Sequence, residues 1–398
     1  YLVYAWGANG RFGTSLCSRT KALEAAADDI ARLGTPVPPG SSPDVIRALL
    51  EDLRSDSHVR RIQACNALAL KREAAATSVP ALAAMLDASH ETSERVSAAA
   101  ALGVLADAAA DAVPALAAML ADPDPEMGIA AAATLARVGP PAAPAVPKLL
   151  TCLDDDAAIA ALEARRERLP GGRRDELRDI ERRLDAFERR RAAVVAAFGA
   201  IGPSAGRAAI DATIAQLRDE GIRPEQAEAL RRMGAGVEAA AIFAGELAAH
   251  PDQEWPWLAS LKALGPDAAT AVPVLVARLA DPDWSARSNA AEALGAIGPA
   301  ASEAVPKLIE ALDTRDIYEY AVVNALAEIR SPAAAPVLAR AARGVSDDRR
   351  VAAAARRGLK AMGLDPDAVE PAPGQPHGRA PVPERSPARR MTDLTSTA

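Results

Sequence analysis

The sequence is poor in the residue types that build most catalytic and metal-binding sites. Its 398 positions hold 4 His, 3 Cys and only 3% aromatic residues. The cysteines, at positions 17, 65 and 152, are odd in number and far apart, so we expect neither a disulfide framework nor a cysteine-rich metal site. Cys65 and Cys152 are better interpreted as small buried residues.

Charge and hydropathy exclude two further classes of protein. A net charge of −7 and a pI near 5.4 argue against a nucleic-acid surface, which needs clustered Lys and Arg. No run of 18 apolar residues occurs, so the sequence as given predicts no membrane span. The segment from Tyr1 to Trp6 is either a stray chain end or the tail of a preceding membrane or signal segment. We expect a cytoplasmic location, and membrane anchoring only in the second case.

What the sequence has instead is alanine-rich repetition. Val-Pro pairs recur at Val79, Val113, Val146, Val272 and Val305. Gly-Pro pairs recur at Gly139, Gly202, Gly265 and Gly298. Successive prolines of the first set lie 34 residues apart (Pro80 to Pro114) or 33 residues apart (Pro114 to Pro147). Regular spacing in this range predicts stacked supersecondary units, so we expect an all-α solenoid.

The unit from Val272 to Ala304 shows how one repeat is built. Pro273 suits the start of a first helix, because it has no N–H to satisfy and a fixed φ. An Asp-Pro-Asp turn at 281–283 ends that helix and caps the next one. The second helix carries apolar residues at helical spacing up to Leu294 and ends at Gly298. Neither helix can bury its apolar stripe alone, so the unit requires neighbours.

A further pattern connects the second helices. An Arg stands seven residues before a Leu or Phe in four units, in the pairs Arg61 and Leu68, Arg95 and Leu102, Arg191 and Phe198, and Arg287 and Leu294. Gly128 and Glu319 hold the Arg position in two other units. The pattern resembles the HEAT repeat, especially the short bacterial form also seen in phycobilin lyases. The resemblance implies about nine helix–turn–helix units with a groove lined by second helices.

The chain divides into three parts. Residues 1–42 form an N-terminal segment with a Pro-rich linker, and residues 43–364 form the solenoid. Residues 365–398 form a tail that is too polar to fold. The fourth unit is 30 residues longer than the others, and we interpret residues 157–190 as an antiparallel helical hairpin that extends both of its helices. One face of the second arm carries Leu177, Ile180, Leu184 and Phe187. This stripe is wider than the first arm can cover, which makes it a candidate contact for a partner.

Chemical motifs are nearly absent, so no catalytic, cofactor or metal residues are predicted. The one His-Glu pair, His90-Glu91, is too little for a two-metal site and indicates a solvated turn. The four arginines could line a groove for acidic peptides, but bonds to nearby turns are favoured. The candidate partner contacts on the second helices and one turn are Gln63, Asn66, Asn289, Glu292 and Trp284.

These observations favour a non-enzymatic scaffold that binds other proteins and acts as a monomer. The alternative, implied only by the resemblance, is a subunit of a phycobilin lyase or isomerase. Binding of a bilin, visible as an absorbance change, would separate the two.

Overall fold

The computed structural model describes residues 43–71, 74–169, 173–220, 224–250, 254–314, 319–344 and 348–371. The N-terminal segment, Cys17 and most of the predicted tail lie outside these residues. Nineteen α-helices, all within these ranges, succeed one another along the chain. They are α1 Pro43–Asp52, α2 His58–Ala69, α3 Ala75–Ala84, α4 Thr92–Leu105, α5 Val113–Met119, α6 Pro125–Val138, α7 Val146–Thr151, α8 Asp156–Arg168, α9 Arg174–Ile201, α10 Gly206–Glu220, α11 Pro224–Arg232, α12 Gly236–Ala249, α13 Glu254–Leu264, α14 Val272–Arg278, α15 Trp284–Ile297, α16 Val305–Thr314, α17 Glu319–Ile329, α18 Ala335–Ala342 and α19 Arg349–Ala361.

Apart from α8, these helices form nine pairs, which gives the α-solenoid predicted from the sequence. The second helix of each pair contacts the second helix of the next pair, in the order α2, α4, α6, α9, α11, α13, α15, α17 and α19. The buried apolar residues form one continuous cluster from Leu49 to Leu359. The core is therefore distributed along the chain, as expected where each repeat packs on its neighbours.

Proline and glycine mark the repeat boundaries as expected. Helices α5, α7, α14 and α16 each begin at the Val of a Val-Pro pair. The exception is α3, which begins at Ala75 and contains Pro80 in its interior. The closing glycines have φ between 58° and 74°, a backbone conformation that is difficult for residues with a Cβ. Ala106 and Arg330 hold the same place in two repeats, with φ of 54° and 55°.

The fourth repeat departs from the predicted hairpin in one arm. The second arm continues the repeat's second helix, so that α9 runs unbroken for 28 residues. The first arm does not continue the first helix, because α7 ends at Thr151 and α8 begins afresh at Asp156. The acidic turn between them, Asp154-Asp155, redirects the chain. That part of the prediction was wrong.

The last repeat is covered by the chain that follows it. Arg343 donates a hydrogen bond of 2.9 Å to the carbonyl of Val369, whose side chain packs against the core. The folded chain thus extends a few residues past the boundary placed at 364. Residues 372–398 of the predicted tail lie outside the described part of the chain.

Two continuous helical stretches, residues 92–119 and 174–217, are long and apolar enough to meet a criterion for membrane spans. Half of the most apolar window in each is buried inside the solenoid. Each stretch also contains two helices and the 3-10 segment between them, at 106–112 or 202–205. The same apolar surfaces are used for packing between repeats.

Leu294 tests the register of the repeats. Its side chain is fully buried on α15, so Leu294→Ala should lower the free energy of unfolding by roughly 2–5 kcal/mol through lost transfer energy and a cavity. Urea denaturation of the whole chain measures the loss. Leu70→Ala is the matched control, because Leu70 is 58% exposed and should change stability by only about 0.5 kcal/mol. A similar loss in the two variants would contradict this packing.

Ala106 offers a stabilising substitution. It ends α4 with φ 54° and ψ −122°, close to the geometry of Gly298 at the end of α15. Ala106→Gly should therefore raise the free energy of unfolding, by about 1 kcal/mol, because glycine adopts positive φ without a Cβ clash. The control Ala100→Gly, at an exposed helical position, should lower stability by up to about 1 kcal/mol. Destabilisation by both changes would show that Ala106 carries no strain.

Candidate functional site

The row of second helices carries the predicted contact positions. Asn66 is exposed, whereas Gln63, Asn289 and Glu292 are half-buried. In three consecutive second helices, α4, α6 and α9, the position that matches Asn66 and Glu292 is an exposed alanine, and these are Ala100, Ala133 and Ala196. The accessible face in the middle of the row is therefore made of small side chains.

Two predicted contacts on α15 differ in their availability. Trp284 is the first residue of the helix, next to its N-cap Asp283, and is 59% exposed. Glu292 instead accepts a hydrogen bond from Lys262 on α13 in the preceding repeat. The repeat pattern did not indicate that pair, because the position of Lys262 holds a small residue in most other repeats, such as Gly103, Ala136 and Gly295. Glu292 thus contributes to the interface between two repeats.

The arginines of the repeated pattern bind the turn that follows the first helix of their repeat. Each donates to a backbone carbonyl of that turn, namely Arg61 to Ser55 (2.5 Å), Arg95 to Leu86 (3.0 Å), Arg191 to Leu153 (3.4 Å) and Arg287 to Asp281 (2.7 Å). Turn carbonyls have no partner within the helices, so a guanidinium satisfies them. This geometry gives the series a structural role.

Two of these arginines also reach into the next repeat. Arg61 on α2 pairs with Glu94 on α4 at 2.5 Å, and Arg95 on α4 pairs with Asp122 before α6 at 2.7 Å. Glu94 is fully buried and also lies 3.3 Å from Nδ1 of His90. His90 is therefore engaged with Glu94, not with its neighbour Glu91. The hydrogen bond from Arg61 holds the pKa of Glu94 below its ordinary value, although burial acts in the opposite direction.

This lowered pKa predicts how stability depends on pH. Because Glu94 binds a proton less readily in the folded chain than in the unfolded chain, its stabilisation is present above its ordinary pKa and is lost as pH falls through the folded value. Glu94→Gln should therefore lower the melting temperature at pH 7, and the difference should shrink below about pH 4. Glu303→Gln, at an exposed glutamate, should change little at either pH. A difference that stays constant with pH would contradict the role of the carboxylate.

Arg190, which is not part of the repeated Arg pattern, holds the base of the hairpin in place. Arg190 is buried, pairs with the buried Asp155, and lies over the ring of Phe187 at 5.1 Å. Its side chain also covers Gly128, where an added Cβ would come within 2.8 Å of it. Gly128 holds the Arg position in one of the units that lack the Arg, and the side chain of Arg190 from the following repeat packs against it. In the sequence, the run of three arginines at 189–191 was the feature that could have indicated this contact.

The apolar stripe of the hairpin is less accessible than predicted. Ile180 is only 2% exposed, and Leu177, Leu184 and Phe187 are half-buried. Ile180 and the nearby Ala186 are buried outside the continuous core cluster. The stripe therefore presents less apolar surface than expected at Ile180, and partial exposure at the other three residues. Its role as a contact for a partner stays a prediction.

The cysteines and histidines do not form a metal cluster within the described residues. Cys65 and Cys152 are buried and unpaired, as predicted. Burial raises the pKa of the Cys65 thiol to about 12, which keeps it protonated and unreactive. His250 lies 3.8 Å from Glu246 in an exposed pair. Trp257 is half-buried, and its ring centroid is 6.1 Å from that of Phe243.

Comparison with known proteins identifies the repeats. Residues 79–166 and 246–319 match the sequence profile of HEAT repeats. No protein of curated function matches the chain. Similar solved structures include an engineered protein, with 22% identity, a TM-score of 0.36, and coverage of 88% of this chain and 97% of that chain. The complex of CpcE and CpcF of phycocyanin lyase from Nostoc sp. PCC7120 has 20% identity, a TM-score of 0.29, and coverage of 82% and 98%.

The karyopherin Kap121p bound to Pho4p is a further similar structure. It has 14% identity and a TM-score of 0.44, and the match covers 86% of this chain but 43% of that chain. At these identities and TM-scores the similarities do not extend to activity. The two matched regions carry HEAT repeats, and the observed helix pairs agree with this within those regions.

Proposed function

We propose that this solenoid with HEAT repeats is a non-enzymatic scaffold that binds other proteins along its row of second helices. The observation that carries the proposal is the exposed alanine on three consecutive second helices, at positions 100, 133 and 196. Small side chains leave the backbone surface accessible over several repeats. Such a surface suits an extended protein contact better than an enclosed small ligand.

Residues at the two ends of the row give it the polar and aromatic groups that an interface needs. Asn66 is exposed at the N-terminal end, and Trp284 is exposed on α15 toward the other end. An exposed tryptophan combines a large apolar area with a hydrogen-bond donor, which makes it an effective anchor for a partner. The alanines between them would allow a partner to approach without steric hindrance.

The placement of the ionisable residues supports a role without catalysis. Buried or half-buried charged groups are used between repeats, as in the pairs of Arg61 with Glu94, Arg95 with Asp122, and Lys262 with Glu292. A general acid or base must be able to reach a substrate. Glu94, one of several carboxyl groups whose pKa is lowered, is covered by its own partners and has no accessible surface.

Two paired substitutions test the row of second helices. Ala100→Arg combined with Ala133→Arg places two long charged side chains on the proposed surface. The matched control, Ala84→Arg combined with Ala118→Arg, places them at exposed positions of the first helices α3 and α5. Circular dichroism should show equal helicity, because Arg is a good helix former.

The parent chain and both variants are used to capture proteins from an extract of the source cells, and mass spectrometry identifies what each one retains. We expect the first variant to lose at least one protein that the parent retains. The control should still retain it. Equal retention by the parent and both variants would exclude the row as the binding surface. Addition of a bilin to the purified chain tests the enzymatic alternative. A shift of its visible absorbance that depends on the chain would overturn the scaffold proposal.

A further inference from the structure

The tip of the hairpin is a concentrated positive surface on an acidic chain. Residues 165–174, which end α8 and begin α9, contain five arginines and one acidic residue. All five guanidinium-bearing residues are exposed, and they are Arg165, Arg166, Arg168, Arg173 and Arg174. The whole chain has a net charge of −7. We call these five residues the basic tip.

The hairpin holds the basic tip away from the rest of the solenoid. No residue of α8 is buried, and its 13 residues span about 20 Å at the rise of an α-helix. At the other end, Arg190 is fixed to Asp155, and Arg189 pairs with Glu126 of the preceding repeat at 2.6 Å. Because α9 is continuous with the second helix of its repeat, the arm is anchored in the core. The tip is thus presented to solvent on a supported arm.

Most of the positive charge at the tip is not neutralised by neighbours. Arg165 and Arg173 both approach Glu176, Arg165 at 3.8 Å. Within the part of the chain that the structure describes, Arg166, Arg168 and Arg174 form no ion pair with a carboxylate. Guanidinium groups bind carboxylates in two-point contacts, so the three exposed arginines near the end of the hairpin are available to such groups.

The charge changes sign directly behind the tip. Residues 175–188 contain six acidic residues and three arginines. A nucleic acid or any long polyanion that followed the hairpin would therefore meet carboxylates within the next turn of α9. The tip also lacks the aromatic side chains on which single-stranded bases stack. These features fit a ligand that is short and engages the end of the hairpin alone.

We propose that the basic tip binds a short carboxylate-rich segment of a partner protein. The inference rests on the proposed scaffold function and assigns a second contact to it, separate from the row of second helices. The tip would capture the acidic segment through guanidinium–carboxylate pairs, and its positive field would speed the encounter at low ionic strength.

The test compares two variants of equal charge change in the full chain. Arg166→Gln, Arg168→Gln and Arg174→Gln together remove the unpaired charge of the tip. We call the acidic segment behind the tip, residues 175–188, the shaft. Arg178→Gln, Arg182→Gln and Arg183→Gln together remove the same positive charge from the shaft. The probe is a short fluorescein-labelled peptide of alternating Glu and Ser, and binding is followed by fluorescence anisotropy at low salt.

We expect the tip variant to bind the peptide at least about tenfold more weakly than the parent, whereas the shaft variant binds like the parent. Added salt should weaken binding by the parent. Equal loss in both variants would show only a general charge effect and would overturn the proposal. Tighter tip-dependent binding of duplex RNA, or of vesicles that contain an anionic phospholipid, would overturn it as well.

The variants of the row separate this proposal from the scaffold function. The chain with Ala100→Arg and Ala133→Arg should bind the acidic peptide like the parent. If this variant binds the peptide like the parent and also retains the same cellular partners, the row is not the binding surface, whereas the proposal for the basic tip is supported. If the tip variant keeps full peptide binding while the row variant loses a partner, only the tip proposal fails. Circular dichroism of the tip variant verifies that α8 and α9 remain helical.

Discussion

The close approach of consecutive second helices is the constraint on which the rest of the structure depends. A methyl group added at Gly199 would come within 2.9 Å of Cα of Ala229 in the next repeat. At Gly295 and Gly358 the corresponding distances, to Cα of Ala325 and Ala327, are 2.8 and 2.6 Å. Such spacing admits only glycine and alanine at the contact, which explains why an alanine-rich chain with few aromatic residues builds a continuous core.

A second constraint follows from the short helices. Each inter-helix turn leaves carbonyl groups without helical partners, and the arginines that begin the second helices bind them. Where the same arginine also reaches a carboxylate in the next repeat, as Arg61 does with Glu94, the turn and the stacking contact are fixed together. Many of the charges are therefore part of the architecture.

The repeat number, the helix starts at four of the five Val-Pro pairs and the Arg series were predictable because their signals are local. Proline, glycine and regular spacing act within a few residues, and they mark the start and end of each helix. Contacts between repeats were not predictable. The pairing of Arg190 with Asp155, and its position over Gly128, depend on which side chains the stacking brings together. Ala106 and Arg330 have positive φ without glycine, so nothing in the sequence marked them.

The candidate sites were predicted only in part, for a related reason. Exposed positions such as Asn66 follow from helical periodicity, whereas Glu292 is engaged because Lys262 of the preceding repeat stands opposite it. The first arm of the hairpin begins as a new helix after an acidic turn, and Ile180 on the second arm is buried. Periodicity identifies which face of a helix is apolar, but not how completely a neighbouring segment covers it.

Repetition also limits where specificity can arise. A row that presents the small side chains of Ala100, Ala133 and Ala196 offers nearly the same surface at each step, so a partner could bind it in several registers. Fixing one register requires features that occur once, such as Trp284 or the hairpin. The hairpin is held at one place by Arg190 and Asp155. Because its tip and shaft carry opposite charge, it would favour one orientation of a charged partner and disfavour the reverse.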